Sequence, residues 1–339
     1  MKYDASYRKQ VSALTGSILK GVQRRLAGLG MLAAALLASG VAVSQVAYPT
    51  KPVRVIVPFA SGGANDLVIR LVGERLQRDL GQPFVVDNRP GANGNIGAAL
   101  VERAGADGYT LLMGNLGLMV HNHELYSKPG FDRANFIPVS CLVEAVMVLK
   151  VPAGSRFQSV RELVAYGKAN PGKLNYASVG SGSALNLAAE MLKSQLGFTA
   201  VHIPYNGGGA MMAAVMGNNV DFVVDPLTYG EGRVRPLAVL SSQRKPGLPD
   251  VPTIQEAGFP VVEANSWIGL FAVRGTPGDV ISTLSSKISA ALSEPAVRET
   301  LLKAGLQPCE TGQAKFAERI RESEKLWVPL VRRLKINLE

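Results

Sequence analysis

The stretch VRVIVPFASGGANDLVIRLVGERLQRDL, residues 53–80, decides the fold class. Its first six residues form an apolar, β-branched run closed by Pro58, which predicts a strand buried on both faces. Residues 65–80 carry apolar side chains at helical spacing and stop at Gly81, which predicts a helix. Strand, small-residue loop and helix in that order form the repeating unit of a parallel α/β sheet.

The unit recurs downstream. Apolar runs predict strands at 84–87, 109–113 and 146–151, with a short helix near 96–104. The alternation then starts again: helix 159–168, strand 174–177, helix 184–196, strand 201–203, helix 210–216 and strand 220–224. Apolar runs follow at 236–240 and 268–273, and helical patterns dominate 277–334. A double start followed by a helical return predicts two α/β lobes, with the C-terminal part packing back onto the first.

Upstream, residues 26–43 (LAGLGMLAAALLASGVAV) are uncharged and follow Arg24-Arg25. A positive segment before a short apolar one reads as a secretory leader, with small residues for cleavage near 44 or 47. Its richness in Ala and Gly, and the strand that follows at once, favour removal over retention as an anchor. The whole chain has a net charge of +10, of which residues 1–44 supply +5. The remainder carries 30 basic and 25 acidic residues, scattered, which is a soluble surface and not a nucleic-acid footprint. Apolar residues make up 47% and charged residues 18%, so there is material for a large core. Cys141 and Cys309 lie far apart in sequence and read as two buried free thiols, with pairing in an oxidising compartment as the alternative.

Three loops stand where ligands bind in α/β proteins, at the carboxyl ends of strands beside helix N-termini. The first contains Phe59, Ala60, Ser61, Gly62, Gly63, Asn65 and Asp66. Its glycines let the backbone approach a ligand, and unpaired N–H groups with neutral polar side chains favour an anion. Asn65 can alternatively cap the helix, with Asp66 favoured by the dipole. The second loop, with Ser178, Gly180, Ser181, Gly182 and Ser183, has the same design and faces the first across a cleft. Tyr205, Asn206 and Gly207 form the third. Asp225 ends an apolar run, so its carboxylate either points into the cleft or holds a hinge.

Enzyme motifs fail on inspection. Residues 167–173 have phosphate-loop spacing, but Leu174 stands where Ser or Thr would hold Mg²⁺, and a helix precedes the loop. GANGNIG, residues 91–97, is not a dinucleotide fingerprint, and the serine-rich loop is not a nucleophile elbow. His121 and His123 can share one face of a strand, although histidines in a polar loop more often face solvent; His202 reads as a core residue. No nucleophile–base pair, clustered carboxylates, metal site or cofactor site is expected.

Longer motifs carry a resemblance. VRVIVPFASGGANDLVIRLVGERL (53–76), VVDNRPGANGNIGAALVERAGADGYTLLMG (85–114) and NPGKLNYASVGSGSALNLAAE (170–190) resemble the Bug-type receptors of tripartite tricarboxylate transporters. So do HIPYNGGGA (202–210), LPDVPTIQEAGFP (248–260) and SWIGLFAVRGTPGDV (266–280). The resemblance implies a type II periplasmic-binding-protein fold, two α/β lobes joined by two hinge strands with a ligand cleft between them. It further implies residues 48–149 plus 272–339 as the first lobe and 150–271 as the second, with hinges near Lys150 and Phe271. A periplasmic, monomeric, non-catalytic receptor follows. It would enclose a small carboxylate by lobe closure and deliver it to two membrane subunits of a transporter, or alternatively to a signalling system. The loop from Phe59 to Asp66 would help hold the ligand, partly through ordered water, with the loop from Ser178 to Ser183 facing it and Asp225 near the cleft. Ala60, Ser61, Ala64 and Asn65 depart from the residues usual in such receptors and leave the carboxylate's identity open.

Overall fold

The computed structural model describes residues 48–227, 232–245, 247–334 and 338; the expected leader lies outside them. The quoted stretch folds as read. β1 (Val53–Val57) has Val53, Val55, Ile56 and Val57 fully buried. α1 (Ala64–Leu80) turns Val68, Ile69, Val72 and Leu76 to the core and ends at Gly81, which takes the left-handed conformation (φ 72°) and donates to Gln77 O.

β2 (Phe84–Asn88), α2 (Asn95–Glu102) and β3 (Thr110–Asn115) follow. A π-helical turn (Gly117–His121) and the short α3 (Asn122–Leu125) come next, where a polar loop or strand was expected. β4 (Phe136–Ala145) has no counterpart in the sequence expectation, and the strand expected at 146–151 is β5 (Val148–Pro152). α4 (Val160–Ala169), β6 (Asn175–Ser178), α5 (Ala184–Leu196), β7 (Val201–Pro204), α6 (Gly208–Met216), β8 (Phe222–Asp225) and β9 (Val234–Val239) continue the alternation. β10 (Ser266–Val273), α7 (Gly278–Ser293), α8 (Pro295–Lys303), β11 (Gln307–Pro308) and α9 (Gln313–Leu334) complete the chain.

The strands form two sheets. The first has the order β11-β4-β10-β3-β1-β2, with β1 parallel to β2 and β3, and β10 antiparallel to β3 and β4. The second has the order β7-β6-β8-β5-β9, with β6 parallel to β7 and β8, and β5 antiparallel to β8 and β9. The chain leaves the first sheet through Val146 and Met147 and returns to it at Ser266. Lys150 lies inside β5, and Phe271 inside β10, where it pairs with Leu112 and Pro138 of the first sheet.

Cys141 on β4 and Cys309 just past β11 are joined by a disulfide, with Cα atoms 5.7 Å apart. This corrects the free-thiol expectation. Burial of both residues was read well, but their proximity depends on β11 pairing with the edge of β4, which brings together residues 168 apart. His121 is also corrected. It is fully buried, its ring centroid 4.7 Å from that of Trp327 on α9. Among the described residues, no helix is long and apolar enough to cross a membrane.

Candidate functional site

A cavity of about 590 Å³ opens where the loops following β1, β2, β3, β6, β7 and β8 meet. Its wall holds the starts of three helices: Gly63, Ala64 and Asn65 of α1; Ser183, Ala184 and Leu185 of α5; Gly207 and Gly208 of α6. α1 and α6 begin at glycines with no side-chain cap, so their first N–H groups are left for other acceptors. Asn65 is thus not the cap: it is the second residue of the helix, with Gly63 as N-cap. α5 is capped by Ser183, whose Oγ accepts from Asn186 N at 3.3 Å. Among the described residues, the wall has one ionisable side chain, Asp225, and no cation. Three positive helix ends around a cation-free cavity favour a small anion.

Of the residues singled out by sequence, Phe59, Ala60, Gly63, Asn65, Gly180, Ser183, Asn206, Gly207 and Asp225 line the cavity. The others stand behind or beside it. Asp66, nearly buried, accepts from Gly62 N (3.1 Å), Asn88 Nδ2 (3.1 Å) and the Arg70 guanidinium (3.0 Å), and so ties the first loop to β2. Burial raises its pKa; the bonds from Arg70, Gly62 and Asn88 outweigh that and hold it below the usual carboxylate value. Ser61 is exposed. Ser178 is fully buried, its hydroxyl bonded to Gly180 and to His202 Nε2 (2.6 Å). His202 is therefore half-buried at the side of the second loop and not in the core, as expected from its apolar strand. Tyr205 supplies backbone: its N–H donates to Ser178 O at 2.9 Å.

Asp225 stands at the cavity wall and is bonded from behind. It lines the cavity, and its Oδ1 accepts from Lys150 Nζ (3.3 Å) and Leu227 N (2.8 Å). Lys150 also donates to Leu227 O, and Lys245 Nζ donates to Pro226 O at 2.8 Å. Two buried ammonium groups thus fix the backbone of residues 225–227. Burial, and then the Lys150 charge, push the Lys245 pKa down to about 8 against the pull of Asp225.

The sequence reading passed over one wall. Pro90, Gly91, Ala92, Asn93 and Gly94 line the cavity, as do Asn115 and Asn122. The available signal was GANG itself. Ala92 (φ 45°), Asn93 (φ 52°) and Gly94 (φ 97°) are consecutive left-handed residues, a conformation that Asn and Gly tolerate best. Its effect is to aim Asn93 across the cleft, where its amide donates to Ser181 O. Other contacts span the same gap. A Cβ on Gly207 would lie 2.9 Å from the Ala60 Cβ, and Gly182 packs directly on Leu125 and Leu338. The loops of the two sheets are in contact beside the cavity.

Two α/β lobes with strand ends directed at a shared cleft define a solute-binding protein of the periplasmic type. Residues 68–336 match the model of the tripartite tricarboxylate transporter family receptor, and the chain belongs to that family. Protein BugT of Bordetella pertussis is 33% identical over 318 residues, covering 91% of this chain and 97% of BugT. The structure of R. palustris Rpa4515 with adipate superimposes with a TM-score of 0.80 at 33% identity, covering 84% of this chain and 98% of that one. MatC (Rpa3494) from Rhodopseudomonas palustris with bound malate gives 0.78 at 32% identity, covering 84% and 100%.

Proposed function

We propose that this chain is an extracytoplasmic receptor that encloses a small carboxylate between its lobes and hands it to the two membrane subunits of a tripartite tricarboxylate-type transporter. The observation that carries this reading is the convergence of three helix N-termini on one cavity whose described wall has no cation. Relatives of known structure holding adipate and malate support the same ligand class. In this reading the first lobe is built on the sheet of residues 53–145 and 266–308, and the second on the sheet of residues 148–239. Phe59, Ala60, Gly63, Asn65, Gly180, Ser183, Asn206, Gly207 and Asp225 contact the ligand. Ser61, Gly62, Asp66, Ser178, Ser181, Gly182 and Tyr205 shape the loops that do so.

The protein acts outside the cytoplasm as a monomer after loss of residues 1 to about 44 or 47, and releases its ligand unchanged. Affinity comes from backbone N–H groups and helix dipoles, which stabilise an anion without a fixed countercharge. Thermal-shift measurements with dicarboxylates, amino acids and aromatic acids test the reading. A ligand at a hundred times its Kd stabilises by about 2.7 kcal/mol, a rise of several degrees in Tm. No shift with any small acid overturns it. N-terminal sequencing of the protein from a periplasmic extract tests the export.

A further inference from the structure

Among the described residues the cavity wall holds no cation, but one stands directly behind it. Lys245, in the segment that follows β9, is only 5% exposed, and its Nζ donates to the Pro226 carbonyl at 2.8 Å. Pro226 lines the cavity, together with its neighbours Asp225 and Leu227. Among the described residues that carbonyl is the one acceptor Lys245 has, and no carboxylate lies within ion-pair distance of it.

The surroundings do little to answer the charge. Lys150 on β5 and Asp225 at the end of β8 are the charged groups that act on it. Asp225 already accepts from Lys150 Nζ (3.3 Å) and Leu227 N (2.8 Å), so its charge is shared with the other lysine. Arg244, next in sequence, pairs with the exposed Glu256 at 2.9 Å. Burying an ammonium without its own anion is unfavourable. Burial, and then the Lys150 charge, accordingly push the Lys245 pKa down to about 8. An anion arriving on the cavity side of residues 225–227 supplies the partner that this lysine lacks.

We propose that Lys245 is a positioning residue for ligand capture: it fixes the Pro226 backbone and lends its charge to the cavity from behind the wall, so that an anion binds more weakly once the lysine loses its proton. The inference rests on the carboxylate reading above and adds to it a residue outside the cavity lining. The helix ends attract an anion at any pH, whereas Lys245 does so only while charged. Unit charges about 10 Å apart, at an effective dielectric near 20, change an equilibrium constant about tenfold. A bound anion favours the charged lysine and raises its pKa in the complex. Affinity is therefore full below pH 8 and falls as pH climbs from 8 towards 10.

Isothermal titration between pH 7 and pH 10 tests it, with malate, succinate, adipate and benzoate as probes, since all four stay fully ionised over that range. The wild-type protein should lose about tenfold in affinity for any probe it binds. Lys245→Met should bind that probe about tenfold more weakly at pH 7 and show little further fall. Lys245→Arg, charged throughout, should match the wild type at pH 7 and hold that affinity to pH 10. A wild-type affinity that is flat with pH overturns the inference while leaving carboxylate capture intact, as does a fall in Lys245→Met as steep as in the wild type. Failure of all four probes at pH 7 is a separate result that overturns the carboxylate reading and this inference with it.

Discussion

His121 is an ionisable ring in an apolar place. Burial against Trp327 pushes its pKa from 6.5 to about 3, because charging it would strip the imidazolium of water. In the unfolded chain the ring takes up a proton near pH 6.5, so between pH 6.5 and 3 the unfolded state binds more protons. Stability that is complete above pH 6.5 is then lost as pH falls, by up to about 1.4 kcal/mol per unit. Urea titrations at pH 7 and pH 5 should show a loss of about 2 kcal/mol that is absent in His121→Leu. Lys245 gives the opposite window. Its folded pKa of about 8 lies below the unfolded value, so the folded state releases its proton first and stability rises as pH climbs from 8 towards 10. Lys245→Met should remove that rise, about 2 kcal/mol over the interval, in the same titrations. Neither environment was legible in the sequence. Trp327 lies on the last helix and Asp225 on another strand, and no local pattern announces either neighbour.

At the scale of elements, legibility followed periodicity. α1 and α5 were read to within a residue because their apolar positions recur at helical spacing and a glycine stops each one. β4 was missed because Pro138, Ser140 and Cys141 interrupt its apolar run; pairing with β10 on one side and β11 on the other makes it a strand. The π-helical turn was missed for the converse reason, since residues 116–120 are almost uniformly apolar and show no period. The cavity loops were legible wherever small residues followed a buried strand. The asparagine wall was not, since Asn115 and Asn122 flank the unread turn. Packing between elements gives a further test. α2 lies so close to the first loop that a Cβ on Gly97 would fall 2.6 Å from the Pro58 Cβ and 3.1 Å from the Arg89 carbonyl oxygen. Gly97→Ala should therefore cost about 1–3 kcal/mol in denaturant titrations and weaken ligand binding, because Pro58 and the loop after it must move.

Across the whole molecule, the double start of the pattern revealed two lobes, but not how the chain divides between them. β10 settles at the centre of the first sheet, between β4 and β3, only because residues 240–265 carry the chain back from the second. The disulfide fastens the strand that precedes α9 to the same sheet. Closing a loop of 168 residues restricts the unfolded chain strongly, so the double variant Cys141→Ser/Cys309→Ser should lose about 3–5 kcal/mol, read as a lower denaturant midpoint. The contacts across the cleft have a consequence in time. Asn93, bonded to Ser181, and Gly182, seated on Leu125 and Leu338, hold the two sides together around a bound molecule, and the cleft widens only after these contacts part. The molecule's residence time is then governed by the rate of opening as well as by its own bonds. Asn93→Ala should shorten that residence several-fold in stopped-flow release while leaving the ranking of ligands unchanged. A receptor built this way times its delivery with contacts between its lobes as well as with its bonds to the cargo.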